Sequence, residues 1–124
     1  MDDVPCGPFL VHKPKHGPTQ VLNLAGKTTI TLGRSDRCDI FFVDTAVSRV
    51  HMVIELTEGQ WTLRDMKSTY GSFLEDGSKI FEPHTLQDGD RFRLGRRIDL
   101  IFCEASELLK VFEETGSSIS SRAA

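Results

Sequence analysis

Three short segments place hydroxyls, guanidinium groups and glycines where a core-building strand has no use for them. Gly33-Arg34 closes the alternating run Thr28 to Leu32. The glycine lets another segment approach closely, and the arginine presents a planar fork of donors suited to the oxygens of a phosphate. Ser48-Arg49-Val50-His51 sets a hydroxyl, a guanidinium and an imidazole just ahead of a second alternating run. Ser68-Thr69-Tyr70-Gly71-Ser72 follows Asp65 and Lys67 as a hydroxyl-rich turn before Phe73-Leu74. Taken singly, each also reads as ordinary surface: a strand end with a solvated arginine, a polar loop, a polar hairpin. Taken together, their chemistry is the capture of an anion through charge-assisted hydrogen bonds. No carboxylate or thiol has the spacing of a catalytic partner for His51, and His12, His16 and His84 lack metal-ligand company. Neither an enzyme nor a cofactor is expected.

Such loops need a rigid frame, and the frame is legible as alternation. Ile30 and Leu32 share a face opposite Thr29 and Thr31, and Val50, Met52, Ile54 and Leu56 form a second stripe. Trp61 and Leu63, then Phe92 and Leu94, then Ile98, Leu100 and Phe102 continue the pattern, each as a half-buried strand. Turn chemistry separates the runs, at Lys15-His16-Gly17-Pro18, Ala25-Gly26, Glu58-Gly59, Asp76-Gly77, Asp88-Gly89 and Gly95. Turns roughly ten residues apart suit an all-β sandwich or barrel and leave no room for the crossover helices of a parallel sheet. Only Glu104 to Glu114, with Leu108, Leu109 and Phe112 at helical spacing, predicts a short packing helix. The Ser-rich residues 115–124 read as a flexible polar tail or linker, so the domain proper spans residues 8–114.

A chain of 124 residues is the size of one domain that can bury a core without disulfides or metal. It is 39% hydrophobic and 27% charged, with no apolar run near the roughly 20 residues that span a bilayer. The acidic opening Met1-Asp2-Asp3 is not a secretory signal, so an intracellular location is expected. Cys6, Cys38 and Cys103 fit neither a disulfide framework nor zinc spacing and read as small buried hydrophobes. A net charge of -3 argues against direct nucleic-acid or membrane partners, which want a positive field. Any bound anion must be gripped locally.

In order along the chain, Gly33-Arg34, Ser48 to His51, Ser68 to Ser72 and Leu86-Gln87-Asp88-Gly89-Asp90-Arg91-Phe92-Arg93-Leu94-Gly95 resemble the forkhead-associated (FHA) family. That family's pattern runs Gly-Arg, Ser-x-x-His, Ser-x-Asn-Gly-Thr and a late Leu-x-x-Gly-Asp-x-x-x-Leu-Gly strand. The resemblance covers about residues 9–103 and implies an eleven-stranded β-sandwich whose loops bind phosphothreonine at one end. It implies that Arg34 and Ser48 hold phosphate oxygens, and that Arg49 adds a second charge or touches the peptide backbone. Thr69 would close the pocket. His51 would tie loops together, with Gly33 and Gly71 permitting the backbone geometry. The implied partner is a phosphothreonine-containing protein, and the family's habits imply a nuclear signalling role resembling a DNA-damage checkpoint mediator.

Tyr70 departs from the pattern, because the family's asparagine there bonds the peptide backbone through an amide that tyrosine lacks. Losing one or two neutral hydrogen bonds weakens binding about tenfold, leaving the phosphate contacts; the ring could also fill the groove or stack on the ligand. Leu74-Glu75-Asp76-Gly77 departs as well, with an extra residue and added acid. The alternative is a degenerate FHA fold kept for protein association or a homodimer, suggested by Tyr70 and by Val53 and Ile101 opposite their strands' core stripes. Thr19-Gln20 matches the acceptor dipeptide of damage-activated kinases, but its place after Gly17-Pro18 reads as an ordinary hairpin turn.

Overall fold

A computed structural model describes residues 8–104. The alternating runs form β1 (Phe9–His12), β2 (Gln20–Asn23), β3 (Thr29–Gly33), β4 (Ile40–Phe41) and β5 (Met52–Thr57). They continue as β6 (Gln60–Asp65), β7 (Ser72–Leu74), β8 (His84–Thr85), β9 (Asp90–Leu94) and β10 (Ile98–Cys103). Two five-stranded sheets result, ordered β2-β1-β10-β9-β7 and β4-β3-β5-β6-β8. Every pairing is antiparallel except β3 with β4. The ten strands among the described residues make the expected β-sandwich, one strand short of the eleven implied by the family resemblance. The helix expected over 104–114 and the tail over 115–124 lie outside the described residues, apart from Glu104, whose N–H donates to the Asp88 carboxylate at 2.8 Å.

The alternation builds the core directly. Leu10, Ile30, Leu32, Met52, Ile54, Trp61, Leu63, Phe92, Leu94, Leu100 and Phe102 meet between the sheets in one cluster. Because the side-chain period is two, the ladders Ile30↔Ile54 and Ile54↔Leu63 put a single apolar row on the inner face. Opposite that core, Val11, Ile101 and Cys103 form a second buried cluster with Phe9 and Val21 packed against it. Ile101 is therefore only 4% exposed and offers little surface to a second copy of the chain. Cys38 and Cys103 are buried and form no disulfide, as expected of small hydrophobes. Thr19 is buried too, which keeps its hydroxyl from a kinase in the folded chain.

Alternation fails at the start of β5. The stripe begins at Met52, whereas Val50 lies ahead of the strand and is exposed. His51, which alternation turns outward, is fully buried. The cause is local: His51 N–H still donates to the Leu32 carbonyl, but Arg34 and Ser35 pair with Ser48 and Arg49 in a shifted register, and the His51 ring turns to Ser48 and Gly71.

Candidate functional site

Antiparallel pairing of β3 with β5 and of β5 with β6 brings the end of β3, the start of β5 and the end of β6 to one edge of the sandwich. The start of β7 and the end of β9 arrive there from the other sheet. Past the strand ends the chains stay joined: Arg34 N–H donates to the Ser48 carbonyl at 2.9 Å and Ser35 N–H to the Arg49 carbonyl at 3.2 Å. Gly33 makes this approach possible, since a β-carbon there would sit 2.1 Å from the Arg49 carbonyl oxygen. The Cys38 thiol donates to that same carbonyl at 3.2 Å. Burial, the largest influence on it, raises its pKa and keeps it a thiol.

Arg34 reaches across the gap, its Nε donating to the Val47 carbonyl at 3.0 Å. That bond fixes the plane of the guanidinium, and among the described residues no carboxylate forms an ion pair with it. The terminal nitrogens remain as a held, uncompensated fork of donors.

His51 sits beneath the loops as a neutral clamp. Its Nδ1 faces the Ser48 N–H at 3.0 Å and its Nε2 faces the Gly71 carbonyl at 2.8 Å. An amide N–H only donates and a carbonyl only accepts, so the ring carries its proton on Nε2. Burial, the dominant influence, lowers its pKa against the opposing pull of the Gly71 carbonyl and Asp65.

Asp65 organises the β6–β7 turn. Its carboxylate accepts from the Ser68 N–H at 3.0 Å, the Ser68 hydroxyl at 2.5 Å and the Ser72 hydroxyl at 2.6 Å. Burial pushes this carboxyl upward, yet the serine donors and His51 together hold it below its ordinary value. The same bonds hold Lys67 in the left-handed region, at φ 56°, and let the Ser68 hydroxyl accept the Gly71 N–H at 3.0 Å. The turn so formed aims the Thr69 N–H at the Ser48 hydroxyl oxygen, 3.0 Å away. A hydroxyl that accepts one bond keeps its own proton for another acceptor.

The structure therefore brings Arg34, Ser48 and Thr69 together over His51, Gly33 and Gly71. Arg49 is exposed at the same edge, its carbonyl engaged and its guanidinium without an ion-pair partner among the described residues. Tyr70 lies on the rim, 44% exposed, with the Arg96 guanidinium carbon 4.8 Å from its ring centroid. Sequence reasoning missed the supporting roles of Asp65 and Ser72, and it missed Arg96 altogether. An Asp three residues before a Ser is a turn signal that could have flagged the first pair. The Arg96 contact is made through space and left no signal. A cleft of about 670 Å³ runs over the outer face of β7, β9 and β10, reaching Gly95 and Arg96 beside the loop edge, and along it Arg93 is tied to Asp99 at 2.8 Å. The loop edge, and not that cleft, carries the convergent donors.

An all-β scaffold that presents anion donors on loops at one edge is the design of an interaction module. The family pattern of the FHA domain matches residues 30–95, and the chain belongs to that family, whose members are phosphothreonine-binding interaction modules. The chain is similar to the oxoglutarate dehydrogenase inhibitor of Corynebacterium efficiens, 31% identical over 77% of this chain and 66% of the inhibitor. The chain thus spans just under two thirds of that relative's length. It also resembles the DNA damage response protein kinase DUN1 of Saccharomyces cerevisiae, at 24% identity over 85% of this chain and 22% of the kinase. Among solved structures, one from a structural and functional analysis of phosphothreonine-dependent FHA domain interactions superposes with a TM-score of 0.64 at 27% identity, covering 77% of this chain and 93% of its own.

Proposed function

We propose that this chain reads phosphothreonine in a partner protein, holding the phosphate between the Arg34 guanidinium and the Ser48 hydroxyl, with Thr69 closing the pocket. The observation that carries the reading is the Thr69 N–H bond to Ser48 Oγ at 3.0 Å, which leaves the serine proton for another acceptor next to Arg34, whose backbone N–H donates to the Ser48 carbonyl. A phosphate near charge -2 gains about 1.5–3 kcal/mol from each charge-assisted hydrogen bond, so a few of them reach roughly micromolar affinity. In this reading Arg49 supplies further charge at the rim, and the module acts by association without chemistry of its own.

The partner divides into two classes. Similarity to the bacterial inhibitor supports a phosphorylation-controlled grip on a metabolic enzyme complex, whereas similarity to the yeast kinase supports nuclear damage signalling. The inhibitor shares more identity and far more of its length, which favours the first class. A second reading, an FHA fold kept for association or homodimerisation without phosphate, draws on Tyr70, which replaces the amide that the family uses on the peptide backbone.

Calorimetric titration with peptides that differ only in carrying phosphothreonine, phosphoserine or plain threonine separates the readings. Micromolar binding of the first, with the third silent, supports the phosphate reader. Equal binding of all three, or of none, removes it.

A further inference from the structure

We propose that Arg96, laid over the Tyr70 ring, forms a subsite that selects an acidic side chain in the peptide flanking the phosphothreonine; this rests on phosphothreonine being held at Arg34 and Ser48. The β9–β10 turn is wedged into the loop edge. Gly95 N–H donates to the Gly71 carbonyl at 2.9 Å, and at φ 63° Gly95 packs so closely on Ala46 that a β-carbon would lie 2.3 Å from the Ala46 carbonyl oxygen. Arg96 thus departs from a fixed point beside the turn that carries Thr69 and Tyr70.

A free arginine samples many rotamers and loses that freedom when it binds. The Tyr70 face removes part of this cost in advance, because the guanidinium carbon already lies 4.8 Å from the ring centroid. A guanidinium held over a ring still offers its edge nitrogens in its own plane, the geometry that takes a carboxylate in two parallel bonds. Two other exposed arginines are already engaged, Arg93 with Asp99 at 2.8 Å and Arg64 with Glu55 at 3.8 Å. Arg96 has no carboxylate within ion-pair distance among the described residues. The exchange of an amide for Tyr70 therefore does more than delete a backbone contact. It supplies the platform for a charge that the rest of the surface leaves unspent, adjacent to the bond between Thr69 and Ser48.

The test uses the full chain and a phosphothreonine peptide with neutral flanks, in which glutamate or glutamine is placed at each flanking position in turn. The quantity read is the ratio of the glutamine to the glutamate dissociation constant. At one position glutamate is expected to bind about fivefold more tightly, the upper end of what an exposed ion pair gives. In Arg96→Gln that ratio falls to about one, while Arg97→Gln, next along the chain, keeps it. Tyr70→Leu lowers it part of the way by removing the platform. Thermal melting checks that each variant is folded. Phosphopeptide binding with no glutamate preference, or a preference that survives Arg96→Gln, overturns this proposal alone. Failure of every phosphopeptide to bind overturns it together with the reading beneath it.

Discussion

The Ser48 N–H donates to Nδ1 of His51 while the Ser48 hydroxyl accepts from the Thr69 N–H, so one serine is held from below by the core and from the side by the β6–β7 turn. Its hydroxyl is thereby oriented before any ligand arrives, and the orientation is what a phosphate would use.

Ser48→Ala removes the oriented donor and leaves the Thr69 amide without an acceptor. Phosphothreonine-peptide affinity is expected to fall about ten- to a hundredfold, the value of one charge-assisted hydrogen bond. Calorimetry reads the loss directly. A Tm within a few degrees of wild type would show that the fold was not what changed.

His51→Ala opens a cavity beneath the loops, strips the acceptor from Ser48 N–H and removes one of the two donors to the Gly71 carbonyl, which keeps Gly95 N–H. A destabilisation of about 2–4 kcal/mol follows from the lost packing and the stranded Ser48 N–H. Denaturant unfolding measures it, and a change below about 1 kcal/mol would contradict the clamp.

Stability should fall with acid, and the sign follows from the direction of the shifts. The folded chain holds the His51 and His12 pKa values below their ordinary value, chiefly by burial, so the unfolded chain binds protons that the folded one refuses. Their contribution is complete above about pH 6.5 and is lost as pH falls towards the folded values. Asp65, also lowered, adds a second loss below the ordinary carboxylate range. Denaturant midpoints between pH 7 and 5 should decline in the wild type and decline less in His51→Gln, which starts lower.

Much of this was legible in the sequence. Ile30, Leu32, Met52, Ile54, Leu63 and Leu94 alternate without exception, and a period of two fixes which face meets the core. Gly33-Arg34 and Ser48 were visible because a glycine and hydrogen-bonding side chains at strand ends have no packing role. Val50 was misread, since alternation assumes an unbroken register and here the pairing of Arg34 and Ser35 with Ser48 and Arg49 shifts it. Arg96 was invisible because its partner Tyr70 becomes a neighbour only when β7 pairs with β9, matching Ser72 with Leu94. The same applies to Ile101, which pairs in space with Val11 across the β1–β10 ladder.

Tyr70→Asn separates two effects of one side chain. Restoring the amide should tighten neutral-flank phosphothreonine peptides by about tenfold, through one or two neutral hydrogen bonds. The same change removes the ring under Arg96, so any advantage of an acidic flank should shrink. Paired titrations of neutral and acidic peptides read both.

The central claim is that a phosphate is gripped between Arg34 and Ser48. Its most direct test is the dissociation constant of one phosphothreonine peptide for the wild type and for Arg34→Ala, read beside the unphosphorylated peptide. The structure predicts micromolar binding by the wild type, at least a tenfold loss in Arg34→Ala, and no measurable binding of the plain peptide. Unchanged affinity in Arg34→Ala would contradict it.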